Sequence, residues 1–143
     1  MRVFLLGFFL LLSCASAQAQ ESIATLKTVT GHTWIVRDGE TMPASPGMSL
    51  FEADQLATDE NSSAGVSFLD GSRISLGPAS KMNISAYRFI PNDQDYAFEM
   101  YFQKGTAYYS SGRLGKLAPD NVRFSTPQAV LGVRGTTFLV RVK

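Results

Sequence analysis

Apolar and polar positions alternate along the chain after residue 20, a period typical of strands with one buried face. Residues 64–68 and 74–76 alternate in this way on either side of Asp70 and Gly71. Two alternating runs joined by Asp-Gly predict a β-hairpin, because glycine takes the positive φ of the turn without a steric penalty. No window after residue 20 has the i, i+3, i+4, i+7 repeat of an amphipathic helix.

Further segments with a strand pattern follow one another, with turn residues about every ten positions. The predicted strands cover residues 23–29, 34–36, 64–68, 74–76, 82–86, 96–102, 107–109, 122–124, 130–133 and 136–142. Turns are expected at Gly31, at Lys104-Gly105 and between residues 90 and 96, a loop is expected over 112–119, and residues 50–56 are left irregular. We therefore predict an all-β domain of about nine to ten short strands in a compact sandwich or roll, with a short β-solenoid as the alternative.

The first nineteen residues have the layout of a secretory signal peptide. Arg2 precedes ten mostly apolar residues, 3–12, and small residues follow up to Ala19. Ten helical residues rise about 15 Å, about half of a bilayer core, so we expect a signal helix and no transmembrane span. Cleavage is expected after Ala19, with Ala17 as the alternative site. The predicted units are a signal peptide over 1–19 and one domain over 20–143.

Cys14 leaves a second interpretation of this segment open. The string Leu-Leu-Ser-Cys at residues 11–14 resembles a bacterial lipobox, in which the cysteine is lipidated and becomes the first mature residue. Under the signal-peptide interpretation the mature protein has no cysteine, which excludes disulfides and thiolate chemistry. We expect a periplasmic or secreted protein, and the alternative is a lipoprotein anchored through Cys14.

Removing the predicted signal peptide changes the charge. The chain has 13 Lys+Arg against 12 Asp+Glu, and Arg2 is the only charged residue before Glu21. The remaining chain is neutral, which argues against nucleic acid as a partner and favours contacts through sheet edges and aromatic rings. An aromatic-rich centre lies between residues 87 and 109. Because adjacent strand residues face opposite sides, one of Tyr108 and Tyr109 is expected to be exposed, and Tyr108 is a candidate contact residue.

The sequence contains no recognisable catalytic, cofactor or metal site. His32 is the only histidine and falls at a predicted turn. No G-x-S-x-G nucleophile motif is present. The string Asn-Asp-Gln-Asp at residues 92–95 lacks the glycine and glutamate that a calcium loop needs at its sixth and twelfth positions. We therefore predict a protein that is not an enzyme and that uses no cofactor or metal.

Residues 133–138, Val-Arg-Gly-Thr-Thr-Phe, form the most distinctive local string. Gly135 is expected to allow a bulge or bend before Thr136. Arg134 lies among apolar strand residues, where an unpaired charge is costly, so we expect a buried pair with Asp54 or Asp70. The functional alternative makes Arg134 a cation that faces a ligand.

Several strings, taken in order, resemble the FecR domain. They lie at residues 47–50, 54–58, 64–72, 74–80, 105–107, 125–130 and 133–138, within a resemblance that spans residues 31–142. They contain most of the candidate site residues, which are Asp54, Thr58, Asp70, Gly71, Ser72, Arg134, Gly135 and Thr136. The resemblance implies an all-β domain outside the cytoplasmic membrane.

The best-known FecR proteins are transmembrane regulators that receive a signal from an outer-membrane receptor and control a sigma factor. This chain shows no cytoplasmic segment and no signalling span, so the resemblance is to stand-alone exported FecR-domain proteins. The family pattern usually continues with further strands, which leaves open whether the domain is complete at Lys143.

We expect an exported, non-enzymatic binding or scaffold module of the bacterial cell envelope, with a protein or an envelope glycan as its partner. One alternative is a periplasmic signal-sensing component that acts with a separate membrane regulator. Another alternative is an enzyme that acts on glycans, which would require a cleft with paired carboxylates.

Overall fold

A computed structural model describes residues 18–135 and 137–143, and most of these residues lie in strands. The strands are β1 (Ala24–Thr30), β2 (Thr33–Arg37), β3 (Glu40–Pro43), β4 (Ser49–Leu50), β5 (Gln55–Thr58), β6 (Ser63–Phe68), β7 (Arg73–Leu76), β8 (Lys81–Ile90), β9 (Asp95–Ser110), β10 (Val122–Ser125), β11 (Val130–Gly132) and β12 (Thr137–Val142). One short helix, α1 (Arg113–Leu117), and two 3₁₀ turns (Pro91–Asp93, Pro119–Asn121) complete the elements of the described residues. The prediction of an all-β domain is confirmed. The predicted signal helix and Cys14 lie outside the described residues.

The strands form one curled sheet in which β9 is shared by two halves. The first part of β9, residues 95–104, pairs with β8 in antiparallel and with β10 in parallel orientation. The second part, residues 105–110, pairs with β7 and β12 in antiparallel orientation. The path of paired strands is β3-β2-β5-β8-β9-β7-β6-β1-β4. The sheet curls around one core and does not stack into coils, so the solenoid alternative is wrong.

The predicted turn at Lys104-Gly105 is wrong, because β9 runs through both residues. Gly105 has a φ of +95°, and a Cβ at this position would overlap Ser80. Only glycine tolerates both conditions, so Gly105 is where the strand changes its partners. The two strands predicted at 96–102 and 107–109 are therefore one strand.

Other local predictions were confirmed where alternating apolar residues or a turn signal mark the element. The Asp-Gly hairpin is confirmed by the pairing of Ser67 with Arg73, and the tip between residues 90 and 96 by the pairing of Ile90 with Asp95. Strands β3, β4 and β5 were not predicted, because each contains only one large apolar residue (Met42, Leu50 and Leu56) and so shows no alternation. The predicted loop over 112–119 contains α1.

The core consists of aromatic and aliphatic side chains between the two halves of the sheet. The ring of Phe98, which is fully buried, lies 5.0 Å from Phe68, 5.4 Å from Tyr109 and 5.7 Å from Phe124 between centroids. Tilted aromatic pairs at these separations add about 0.5–1.5 kcal/mol each beyond the burial of their surface. Most of the aromatic-rich centre therefore serves the core.

Candidate binding surface

Asp70 is the centre of a buried network beneath the β6–β7 hairpin, and only 1% of its surface is exposed. Its Oδ1 accepts a hydrogen bond from the Tyr87 hydroxyl at 2.9 Å, and its Oδ2 accepts one from the Ser72 hydroxyl at 2.6 Å. The Asp70 amide donates to the Tyr87 oxygen at 3.0 Å. Burial raises the pKa of the Tyr87 phenol, and the negative charge of Asp70 raises it further. The network stabilises the neutral phenol.

The same network attaches helix α1 to the hairpin. The Leu114 amide donates to Oδ2 of Asp70 at 3.0 Å, and the Gly112 amide donates to the Ser72 hydroxyl at 3.0 Å. Gly112 has no room for a side chain, because a Cβ would overlap the backbone at residues 70–72. The predicted site residues Asp70, Gly71 and Ser72 therefore form the joint between a turn and a helix.

Asp54 forms a second buried contact, with Arg37 of β2. The Nε of Arg37 donates to Oδ1 of Asp54 at 2.8 Å, and the second guanidinium nitrogen donates to Oδ2 at 2.7 Å. Hydrogen bonding to Asp54 raises the pKa of the Arg37 guanidinium. Oδ2 also accepts from the Phe51 amide at 2.8 Å. This bidentate pair fixes the β4–β5 turn against β2.

Thr58 forms a third contact, at the bend of β9. Its hydroxyl donates to the carbonyl of Gly77 at 2.6 Å and accepts from the Ser80 amide at 3.0 Å. The Ser80 hydroxyl in turn accepts from the Thr106 amide at 2.9 Å. The chain of contacts joins β5, the β7–β8 turn and β9 beside Gly105. Residues of the predicted strings thus hold the fold together.

Arg134 does not form the predicted buried pair. Its guanidinium donates to Asp120 at 2.8 Å, and 80% of its side chain is exposed. The prediction is wrong because Asp54 is occupied by Arg37 and Asp70 by neutral donors, whereas residue 134 lies between β11 and β12 at the surface. Gly135 lies in a bend, as expected. Thr136 lies outside the described residues.

The surface that remains open for binding is the outer side of one half of the sheet, which we name the hydroxyl face. It consists of the outward side chains of β1, β6, β7, the second part of β9 and β12. These residues are Thr25, Lys27, Thr28, Ser63, Gly65, Ser67, Arg73, Ser75, Thr106, Tyr108, Ser110, Thr137, Leu139 and Arg141. Most of them carry a hydroxyl group, which both donates and accepts hydrogen bonds.

A depression of about 500 Å³ crosses the hydroxyl face. Gly65 lies at its floor, and a Cβ at this position would lie 2.5 Å from the hydroxyl oxygen of Thr28. Lys27 and Thr28 line one side, while Arg73 and Ser75 line the other. A bulge in β1 between Leu26 and Thr28 changes the direction of the Lys27 side chain, which lines the depression.

The charge on the hydroxyl face has one sign. Lys27, Arg73 and Arg141 are exposed there, and the outward residues of this face include no acid. The described part of the chain has three ion pairs, and none involves these cations. The near-neutral composition of the chain therefore coexists with a cationic surface on this side of the sheet.

Tyr108 adds an aromatic ring to this surface. It pairs with Ser75 on one side and with Leu139 on the other, and 46% of its surface is exposed while Tyr109 is buried. The prediction that one of the two tyrosines is exposed is confirmed. The depression with its small polar residues thus adjoins an apolar platform of Tyr108 and Leu139.

The outer side of the other half differs in chemistry, and we name it the amide face. Its outward residues on β2, β5, β8, the first part of β9 and β10 include Trp34, Gln55, Asn83, Tyr101, Glu99 and Arg123. The Gln55 amide donates to the Asn83 carbonyl oxygen at 2.9 Å, so these two groups satisfy each other. The amide face has both signs of charge, and the side-chain amides of Gln55 and Asn83 are paired with each other.

A smaller groove of about 290 Å³ lies between residues 20–23 and 87–90. Its walls combine the exposed Leu69 and Ile90 with charges of both signs. Oε2 of Glu52 in this groove accepts from the Tyr87 amide at 3.0 Å and is therefore occupied. This groove has less free polar capacity than the hydroxyl face.

His32 is exposed in the turn between β1 and β2, as expected. Among the described residues, no three His, Cys, Asp or Glu side chains converge in a way that would hold a metal ion. In the same part of the chain, no helix has the length and apolar character needed to cross a membrane.

Comparison with known proteins identifies a family. The family model described as FecR protein matches residues 54–143, more than half of the chain. No curated protein and no solved structure matches the sequence. FecR domains are regulatory or signalling domains that are associated with the cell envelope. The matched region begins at Asp54 and includes the contacts of Asp70 and Thr58, whereas Arg37, the partner of Asp54, lies before it.

Proposed function

Because the chain belongs to the FecR protein family, we propose that it is an exported, non-enzymatic binding module of the bacterial cell envelope, and that the hydroxyl face is its binding surface. The single observation that carries this proposal is the open depression over Gly65 between Lys27 and Arg73. Exposed hydroxyl groups and unpaired cations on rigid strands are preorganised for a partner, since they require little ordering on binding.

The residues that identify the family and the residues of the proposed binding surface have different roles. The strings that identify the family place Asp54, Thr58 and Asp70 in buried contacts, so these residues are committed to the structure. The charged side chains of the hydroxyl face form no ion pair within the described chain. We therefore assign the binding function to this outer surface and not to the residues that hold the fold together.

Retention of envelope material by the immobilised full chain tests the proposal. The protein, expressed with its own export segment and purified, is exposed to an envelope extract alongside the variant Tyr108→Ala. We expect wild-type protein to retain material that the variant retains several-fold less. Tyr101→Ala, on the amide face, is the matched control and should retain the material as wild type does. Failure of wild-type protein to retain any protein or glycan would contradict the proposal.

The free edge of β12 favours a second function, a periplasmic signal-sensing component. Among the described residues, β12 pairs only with β9, and Leu139 beside that edge is exposed. An unpaired strand edge accepts an added strand from a partner protein. In this case a deletion strain should show an altered transcriptome under iron limitation or envelope stress, and an unchanged one would count against this alternative.

A further inference from the structure

We infer that the hydroxyl face binds an acidic polysaccharide, a chain of sugars that carry carboxylate groups. This inference rests on the proposed function, because it names the chemical class of partner for the same surface. The charge complementarity comes first. Lys27, Arg73 and Arg141 present positive charge, and no outward residue of the face is acidic.

The spacing of the cations distinguishes a polymer from a small anion. Neighbouring strands lie about 4.8 Å apart, so Lys27 on β1 and Arg73 on β7 are separated by about 10 Å across the intervening strand β6. Arg141 on β12 lies two further strands across and about four residues along the sheet from Arg73, because Arg73 pairs with Ser110 and Arg141 pairs with Thr106. The three cations therefore form a triangle about 20 Å across. A single small anion reaches one of these cations at a time. A polymer with repeated carboxylates reaches all three.

The groups between the cations fit sugar rings. Ser67, Ser75 and Thr28 offer hydroxyls that both donate and accept, as sugar hydroxyls require. Gly65 adds no side chain to the floor, and the Thr28 hydroxyl lies 2.5 Å from where its Cβ would be, so a sugar ring on the floor meets this hydroxyl. Tyr108 lies next to Ser75 and provides an apolar face for a sugar ring to stack on, which a purely electrostatic surface would not need.

The same features disfavour two other polyanions. Single-stranded nucleic acid is held by several aromatic side chains on which successive bases stack, and this face has one exposed aromatic ring, Tyr108. Anionic lipid surfaces attract clusters of about four to eight basic residues, and three cations spread over about 20 Å do not form such a cluster. A polysaccharide matches the mixture of sparse charge, dense hydroxyls and one ring.

Binding of polygalacturonate to the full chain tests the inference, with dextran as the neutral polymer and single-stranded DNA as the competing polyanion. We expect measurable affinity for polygalacturonate that falls as salt is raised, and none for dextran. The double variant Lys27→Gln/Arg73→Gln should weaken binding about tenfold, since each exposed ion pair contributes about threefold to fivefold. The matched control Lys104→Gln/Arg123→Gln removes the same charges outside the face and should bind as wild type does.

The outcomes separate this inference from the proposed function. An equal loss of affinity for polygalacturonate in both double variants would mean that the overall charge of the protein causes the binding. This result would overturn the inference. Tighter binding of DNA than of polygalacturonate would overturn it in favour of nucleic acid. Retention of envelope material by wild-type protein, together with no affinity for polygalacturonate, would overturn the inference and leave the proposed function standing.

Discussion

The buried network around Asp70 and the hydroxyl face are both rich in Ser, Thr and charged groups, but they use them in opposite ways. In the network each polar atom has a partner inside the chain, as the Tyr87 hydroxyl has in Asp70. On the hydroxyl face, Arg73 and Lys27 have no ion-pair partner in the described part of the chain. Satisfied polar groups determine the fold, and unsatisfied exposed groups are available to a partner.

This comparison predicts that changes in the network alter stability and that changes on the face alter binding. The largest effect is expected for Asp70→Ala, which removes the acceptor for Tyr87, Ser72 and the Leu114 amide. We expect a loss of about 3 kcal/mol or more in the free energy of unfolding, measured with urea, because buried donors are left unsatisfied. Asp59→Ala, at an exposed turn position, is the control. A loss below about 1 kcal/mol would show that Asp70 is not a structural centre.

Arg37→Leu is expected to come second. It leaves the buried carboxylate of Asp54 without its bidentate partner, which should cost about 2–4 kcal/mol in unfolding free energy. Replacing both residues by leucine should recover part of this loss, because the uncompensated buried charge is gone. A double variant that is less stable than Arg37→Leu alone would contradict this account of the pair.

A smaller effect with a defined pH dependence is expected for Tyr87. Its pKa is raised by burial in the folded state, so above its ordinary value of about 10 the unfolded chain releases a proton that the folded chain retains. Stability is therefore fully present below pH 10 and falls as the pH rises above it.

Tyr87→Phe should remove part of that fall. At pH 7 the variant loses about 1–2 kcal/mol with its hydrogen bond to Asp70, and by pH 11 the difference from wild type should shrink. The pKa of Tyr109 is also raised by burial, so the variant still loses some stability as the pH rises above about 10. Urea unfolding at both pH values measures the difference, and a difference that does not change with pH would contradict the linkage.

The smallest effect on stability is expected on the hydroxyl face itself. Lys27→Gln/Arg73→Gln should change the unfolding free energy by less than about 0.5 kcal/mol, because exposed cations without ion pairs contribute little to folding. Thermal unfolding of the variant beside wild type measures this. A loss above about 1 kcal/mol would show that these cations serve the fold, and the contrast between the two regions would disappear.

The sequence predicts well those structural features that depend on residues close together in the chain. The Asp-Gly hairpin and the opposite faces of Tyr108 and Tyr109 follow from strand geometry within a few positions. The continuity of β9 through Gly105 depends on Ser80, which lies 25 positions earlier in the chain and becomes a neighbour only in the fold. Gly105 is predicted as a turn from the sequence, but in the fold it is a bend within one strand.

Electrostatic arrangement was the harder part to predict. The pairing of Arg134 with Asp54 or Asp70 was wrong because the choice of an ion-pair partner depends on distances that only the fold sets. The cationic hydroxyl face was not foreseen either. Lys27, Arg73 and Arg141 are far apart in sequence, and a total charge close to zero does not indicate that they share one side of a sheet.

A pair of matched charge insertions tests the central claim, that the hydroxyl face and not the rest of the sheet binds the partner. Ser75→Glu adds a carboxylate inside the face, and Ser85→Glu adds the same charge at an exposed position of β8 in the other half. Retention of envelope material is compared for the two variants at equal thermal stability. Our account predicts that Ser75→Glu loses most of the retained material and that Ser85→Glu retains it. Equal retention by both variants would contradict the claim.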